Sequence, residues 1–349
     1  MDNYAGFDPV PINEDNFPDP NFRKFVAAKP INANEDGFLS EEELKAVKIM
    51  NVSSKEISSL KGIEFFTALT KLNCSINSLT SLDVSKNTAL TYLDCIRNNL
   101  ESLDVSKNTA LTVLFCSYNS LKSLDVSKNT ALTYLDCFEN DLKSLDVSKN
   151  TALKELDCSY NSLKSLEFSK NTALTSLSCY ENGMESLDVS NCLLLDELYC
   201  NNNSLKSLDV SKNTALTKVV CSSNQISGTA MTNLVNSLRS IPSETSGDFY
   251  VCDDVAETDN IITPAQVSIA TGKNWYVRKW MKNDIYAAYY AGLGDVNGDE
   301  KIAQDDLDTI VKIIMGQADL GFAGDLNNDG KTDAADIVVM VNILKSLGK

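Results

Sequence analysis

The chain has 349 residues, enough for two or three ordinary domains, and 43% of them are apolar, which is enough to build a core. Its 48 acidic and 31 basic residues give a formal charge of −17, which argues against a nucleic-acid partner because phosphate binding needs a basic surface. There is no histidine, so the commonest general base and the commonest metal ligand are absent.

The sequence contains no apolar run near the roughly 20 residues that cross a bilayer. Its first residues, MDNYAGFDPV, do not form a signal peptide. The chain is therefore expected to be either cytosolic or an exported protein whose targeting segment has been removed.

Residues 1–43 are predicted to form an N-terminal cap with a helix–loop–helix pattern. Helices are expected in NFRKFVAA and LKAV, on either side of residues 32–43, NANEDGFLSEEE. This loop resembles an EF-hand, with Gly37 at its turn, and the resemblance implies calcium ligands at Asn32, Asn34, Asp36, the carbonyl of Phe38, and Glu43. Asn32 stands where Asp is usual and costs a charge, so a calcium-free cap of the same shape is the alternative.

Residues 44–227 repeat the unit L-x-x-L-x-C-x-x-N-x-L-x-x-L-D-V-S-K-N-T-A. Eight cysteines follow one another at intervals of 21 residues, from Cys74 to Cys221. A fixed short period indicates a solenoid. The unit resembles a leucine-rich repeat, and the segment from FPDPNF to ALTKL resembles the N-terminal cap of bacterial surface leucine-rich-repeat proteins.

Each repeat divides into two similar halves that both end near an asparagine. We therefore predict a strand-rich α/β leucine-rich-repeat solenoid with two short parallel strands per turn, stacked about 4.8 Å apart. The cysteine column is predicted to be buried and reduced, because in-register strands hold Cβ atoms farther apart than the about 3.8 Å of a disulfide.

The first half of each repeat varies from turn to turn, whereas the second half scarcely changes. Outward rings and carboxylates in the variable half are predicted to form a ligand-binding face for a protein or a glycan. The alternative is that the rings pack only on each other. The predicted face contains Tyr92, Asp94, Phe115, Tyr118, Tyr134, Asp136, Phe138, Asp157, Tyr160, Tyr180 and Tyr199.

Residues 228–292 leave the period and are predicted to form a small α/β cap. We expect helices near MTNLVNSL and PAQVSIATG and strands at DFYVCD and NWYVRKW. Trp275 and Trp280 are expected in the core. No catalytic constellation is recognisable in this segment.

Residues 293–349 contain a duplicated D-x-N-x-D loop, each copy followed by an amphipathic helix. Hard oxygen ligands at this spacing bind calcium. The pair resembles a type I dockerin, an all-α module that docks onto cohesins. The predicted ligands are Asp295, Asn297, Asp299, the carbonyl of Lys301 and Asp306 in the first loop, and Asp325, Asn327, Asp329, the carbonyl of Lys331, Asp333 and Asp336 in the second.

The resemblance implies cohesin contacts at Gln304, Asp305, Ala334 and Ala335, which depart from the Ser-Thr pairs common in the family. A calcium-stabilised terminal module without a cohesin is therefore the alternative.

Together these patterns predict a non-enzymatic, exported or surface-bound binding protein that uses calcium. The alternative is a catalytic or non-catalytic component of a carbohydrate-degrading complex, since dockerins often accompany glycosidases. A flat repeat sheet disfavours catalysis, because glycoside hydrolysis needs two carboxylates in an enclosed pocket.

Overall fold

The computed structural model describes residues 7–253, 260–281, 285–288 and 307–308. The chain divides into two compact units. The first unit comprises Met1–Gly183 and Asn191–Leu195, and the second comprises Met184–Ser190 and Asp196–Lys349. Among the described residues, no helix is long and apolar enough to cross a membrane.

The first unit begins with the predicted helix–loop–helix. It contains helix α1, Pro20–Ala27, and helix α2, Glu41–Ala46, together with a two-stranded antiparallel sheet of β1, Val10–Pro11, and β2, Phe38–Leu39. One oxygen of Asp19 caps α1 by accepting hydrogen bonds from the amides of Asn21 and Phe22. The other accepts from the amide and hydroxyl of Ser58. This buried carboxylate therefore joins the cap to the first repeats.

Seven parallel strands of three residues each follow in chain order and make one sheet of the first unit. The partner of each strand residue lies 21 or 22 residues further along the chain, so every turn stacks in register on the next. The strands are β3 Ile49–Asn51, β4 Lys71–Asn73, β5 Tyr92–Asp94, β6 Val113–Phe115, β7 Tyr134–Asp136, β8 Glu155–Asp157 and β9 Ser176–Ser178. A 3₁₀-helix, Ile63–Phe65, precedes β4.

The core of each turn comes from the central strand residue, the cysteine, and the leucines and valine of the repeat. In one turn Leu93, Cys95, Leu100 and Val105 are all fully buried. The thiols of Cys74, Cys95, Cys116, Cys137 and Cys158 donate to carbonyls of the next turn at 3.4–3.5 Å. The prediction of a buried, reduced column is confirmed for these five.

Two columns of asparagine side chains form hydrogen bonds between successive turns. In the first column, at the end of the variable half, Asn140 donates to the carbonyls of Cys116 and Cys137 and accepts the amide of Leu121. In the second column, which follows the conserved Ser-Lys, Asn129 donates to the carbonyls of Val105 and Asn108. The Oδ1 atom of Asn129 is buried and has no partner.

The parallel-strand leucine-rich-repeat solenoid is confirmed, but the second strand of each turn is not present in the described repeats. Residues Leu82–Val84 and their equivalents run without ladder hydrogen bonds. The carbonyl of Val84 accepts instead from the amide of Asn87 and the side chain of Asn108. A tight turn and an asparagine side chain thus bind this carbonyl in place of a ladder, and the second strand of each turn that we predicted does not form in the described repeats.

The second unit continues the repeat with β10, Glu197–Tyr199, and β11, Lys218–Val220, and then adds the predicted α/β elements. Strands β10, β11, β12 and β13 pair in parallel, and β14 closes the edge antiparallel. The added elements are α3 Gly228–Ser237, β12 Gly247–Asp253, α4 Pro264–Thr271, β13 Trp275–Met281 and β14 Ile285–Ala288.

Trp275 lies in the core of the second unit, as predicted. It is 1% exposed, and its indole nitrogen donates to the carbonyl of Arg239 at 2.8 Å. The side chain of Trp280 lies outside the described residues. Helix α4 begins with a capping box between Thr263 and Gln266, which satisfies two backbone amides at its first turn.

Candidate ligand-binding face

The predicted rings of the first unit form two rows on the outer side of its sheet. In the strand row, the centroid of Phe115 lies 5.7 Å from that of Tyr92 and 4.9 Å from that of Tyr134. In the corner row, just beyond the cysteines, Phe138 lies 5.1 Å from Tyr118, 5.2 Å from Tyr160 and 6.2 Å from Tyr180. The rings of the variable half therefore lie beside one another from turn to turn.

The rings are partly buried by each other and partly open to solvent. Tyr118 and Tyr160 are 37% and 45% exposed, and the others are intermediate. Offset and edge-to-face pairs at these distances are favourable on their own. Ring-on-ring packing, the alternative considered from the sequence, thus accounts for part of the arrangement and makes a rigid surface of the remaining faces.

The corner row depends on a backbone conformation that the sequence does not reveal. Tyr118 and Tyr160 have φ of +54° and +50°, in the left-handed region. All eight equivalent positions share this conformation, with φ of +50° to +54°: Ile76, Arg97, Tyr118, Glu139, Tyr160, Glu181, Asn202 and Ser223. Non-glycine residues adopt it at a cost, and none of the eight is glycine. The first asparagine column follows immediately and holds each corner in place.

The carboxylates of the face have a structural role as well as a charge. Asp94, Asp136 and Asp157 each accept the amide two residues further on, at 2.9–3.2 Å. Asn73 does the same for Ser75 at the equivalent position. An amide oxygen therefore satisfies the turn as well as a carboxylate does, so the negative charge is not required for the fold.

Burial changes the ionisation of the face. Desolvation raises the pKa of Asp94 and Asp157, and the nearby charge of Asp136 raises both further. Desolvation and the charge of Asp157 raise the pKa of Tyr180 to about 12. Tyr180 is therefore uncharged at neutral pH, and burial disfavours the ionised forms of Asp94 and Asp157.

The second unit carries a different aromatic surface on strands β10 to β13. Tyr199, the one predicted face residue of this unit, has the ammonium of Lys218 5.0 Å from its ring centre. Arg278 lies 5.8 Å from the ring of Tyr250 and pairs with Asp248 at 2.6 Å. Sequence reasoning missed the residues of β12 and β13 because these strands lie outside the 21-residue period. Their alternation in DFYVCD and WYVRKW was the available signal.

Comparison with known proteins finds matches to the C-terminal dockerin segment and to the leucine-rich-repeat solenoid. Residues 293–345 match the dockerin type I domain. A segment of 71 residues is 43% identical to internalin J of Listeria monocytogenes serotype 4b, and it covers 20% of this chain and 8% of that protein. The functional domain of InlJ from Listeria monocytogenes, described as including a cysteine ladder, superposes with a TM-score of 0.59 at 32% identity over 80% of this chain.

The chain carries an internalin-like leucine-rich-repeat solenoid and a type I dockerin domain. It spans 62% of the solved InlJ chain. A leucine-rich-repeat protein of Leptospira interrogans, LIC12759, has a TM-score of 0.54 at 23% identity, covering 57% of this chain and 55% of its own, and shares the fold.

The dockerin residues predicted to bind calcium, from Asp295 to Asp306 and from Asp325 to Asp336, lie outside the described residues. Their donor set of carboxylate, amide and carbonyl oxygens suits calcium.

In the N-terminal loop, Glu43 accepts the amides of Ala33 and Ser40, and Asp36 bonds Asn34 and the amide of Phe38. No group of three or more acidic, cysteine or histidine side chains in the described part of the chain is arranged to hold a metal.

A cleft of the second unit also contains two carboxylates, which bears on the enzymatic alternative. Asp188 and Asp209 line a cavity of about 210 Å³ together with Lys212. The carboxylates accept the amides of Ser190 and Ser211 at 2.9 and 2.8 Å. The bonds from Ser190 lower the pKa of Asp188. A general acid for glycoside cleavage needs the opposite shift, so this cleft does not favour hydrolysis.

Proposed function

We propose that this chain is a non-enzymatic, exported binding protein whose first-unit sheet face binds a protein ligand. The observation that carries the proposal is the pair of aromatic rows, which present rigid, half-exposed rings beside carboxylates on an open sheet. Rings with little conformational freedom are the usual anchors of protein interfaces.

The proposal includes calcium in the dockerin domain. Asp295, Asn297, Asp299, Asp306 and the carbonyl of Lys301 would hold one ion, and the matching residues from Asp325 to Asp336 would hold the second. The ions would close each loop and fix the helix that follows it. Gln304, Asp305, Ala334 and Ala335 would then contact a cohesin-like partner.

Calcium at such sites supports a location outside the cytosol, where the ion is abundant. In the N-terminal cap, the ligand set of Asn32, Asn34, Asp36, Phe38 and Glu43 is a weaker proposal. The carboxylate of Glu43 is already engaged by two amides. The buried Oδ1 atom of Asn32 has no partner and is the feature that favours a cation there.

The proposed role of the face is tested by measuring how much ligand protein the full chain and its variants capture. The double variant Tyr134→Ala with Phe138→Ala removes one ring from each row, and both rings are partly exposed, so the fold should persist. Capture should fall about tenfold or more, since buried aromatic anchors dominate interface energies. A matched control, Lys107→Ala with Lys128→Ala, alters the second half-turn. Equal capture by both variants would place the binding surface elsewhere.

A further inference from the structure

The candidate face of the first unit carries a concentration of negative charge over three successive turns. From β7 to the corner after β9, the outward strand and corner positions hold five carboxylates and no lysine or arginine, and the exposed Lys154 lies just before β8. The five are Asp136, Glu139, Glu155, Asp157 and Glu181. The ion pairs of the described residues involve none of them. Asp136 and Asp157 are ladder neighbours, about 4.8 Å apart along the stack, where like charges repel.

Elsewhere on the chain, equivalent rings are occupied by the chain's own cations. The guanidinium of Arg97 lies 4.7 Å from the ring centre of Tyr118. In the second unit Lys218 and Arg278 take the same role at Tyr199 and Tyr250. The cation–ring contacts of the described residues leave out Tyr134, Phe138, Tyr160 and Tyr180, which are the rings that stand among the five carboxylates.

Desolvation disfavours the charged form of two of these five carboxylates. Burial raises the pKa of Asp157 and of Glu181, so their ionised forms are disfavoured in the unbound chain. A cation brought by a partner would favour the ionised carboxylates, which offsets their desolvation and reduces their mutual repulsion, and it would also be attracted to the faces of the rings.

We propose that the protein ligand of this face presents a basic segment with at least two arginine or lysine side chains, which enter between the rings over the Asp136–Asp157 pair. This inference rests on the proposed function of the face and specifies its partner. Arginine fits better than lysine, because its planar guanidinium stacks on rings and forms paired hydrogen bonds with carboxylates.

A synthetic peptide with arginine at alternate positions, Gly-Arg-Gly-Arg-Gly-Arg-Gly, provides the probe. Its counterpart with citrulline has nearly the same shape without the charge. The double variant Asp136→Asn with Asp157→Asn keeps the amide-accepting oxygens that close the two turns. The matched control, Asp104→Asn with Asp125→Asn, makes the same charge change on the second half-turn, where these carboxylates accept the amides of Ser106 and Ser127.

The full chain should bind the arginine peptide and not the citrulline peptide in calorimetric titration. The variant Asp136→Asn with Asp157→Asn should bind the arginine peptide at least about tenfold more weakly. The control variant should bind it nearly as well as the parent. No binding of the arginine peptide, equal binding of both peptides, or equal weakening in the control would overturn the inference.

Protein capture separates this inference from the proposed function. If Tyr134→Ala with Phe138→Ala lowers capture while Asp136→Asn with Asp157→Asn does not, the face binds its ligand without a basic segment. If neither variant lowers capture, both proposals fail. A parallel loss in both variants supports the basic partner.

Discussion

Replacing Asn140 with alanine should destabilise the solenoid more than replacing Asn129, although both are buried asparagines that bridge adjacent turns. Among the described residues, the side-chain oxygen of Asn140 is the only acceptor for the buried amide of Leu121, at 2.9 Å. Its removal leaves that N–H unsatisfied and also deletes bonds to the carbonyls of Cys116 and Cys137. An orphaned buried donor costs about 1–3 kcal/mol, and each lost bond costs about 0.5–1.5 kcal/mol.

Replacing Asn129 with alanine removes hydrogen bonds but leaves no buried donor unsatisfied. The carbonyls that it bonds, those of Val105 and Asn108, also accept the amides of Asn108 and Leu111. No donor is orphaned, and the unpartnered Oδ1 atom of Asn129 disappears with the side chain. We therefore expect a loss of about 3–5 kcal/mol in the free energy of unfolding for Asn140→Ala and about 1–2 kcal/mol for Asn129→Ala.

Urea denaturation followed by circular dichroism measures both losses. Asn99→Ala is the control, because Asn99 is exposed and its replacement should stay within about 0.5 kcal/mol of the parent. Equal losses for Asn140→Ala and Asn129→Ala would refute the reasoning that an orphaned amide, rather than the number of bonds, dominates the cost.

Three further outcomes follow from the same structure. Burial raises the pKa of Cys95 and Cys116, so a thiol reagent such as DTNB should leave these thiols unmodified in the native chain and titrate them after unfolding; rapid native labelling would contradict a buried column. Asp19→Asn should cost about 2 kcal/mol at neutral pH. Burial opposes the charge of Asp19, but amide and hydroxyl bonds from Phe22, Ser58 and Ser59 outweigh it and lower its pKa. The stabilisation is therefore present above the ordinary value of 3.8 and is lost as pH falls through the lowered pKa, and a difference from the parent that does not shrink as the pH is lowered below 3.8 would contradict this. EDTA should lower the melting temperature of the dockerin transition, and Asp295→Ala with Asp325→Ala should abolish the response to calcium; an unchanged response would remove the two loops as metal sites.

The period of the sequence was enough to predict the stacked turns, the buried cysteines and the rows of rings. A residue 21 positions along the chain must occupy the same place in the next turn, so columns in the sequence become columns in space. The prediction of a second strand in each turn was wrong. The two halves share a Leu-x-x-Leu pattern, but their backbone hydrogen-bond partners differ. Leu93 lies in a ladder, but Val84 gives its carbonyl to the side chain of Asn108.

Other features could not be predicted because no single residue type signals them. The left-handed corner accepts isoleucine, arginine, tyrosine and glutamate alike, since the asparagine that follows fixes its conformation. The cation–ring surface of the second unit arises from Lys218, Tyr250 and Arg278. Only Lys218 lies within the 21-residue period, so the sequence spacing does not indicate that the three side chains meet.

Site-specific photo-crosslinking tests the central claim, that the ring-bearing face contacts the ligand. Benzoylphenylalanine would replace Phe138, in the corner row, and separately Lys128, in the second half-turn, in the full chain. We expect irradiation in the presence of the captured protein to give an adduct from position 138 and none from position 128. An adduct from position 128 with none from position 138 would contradict the account.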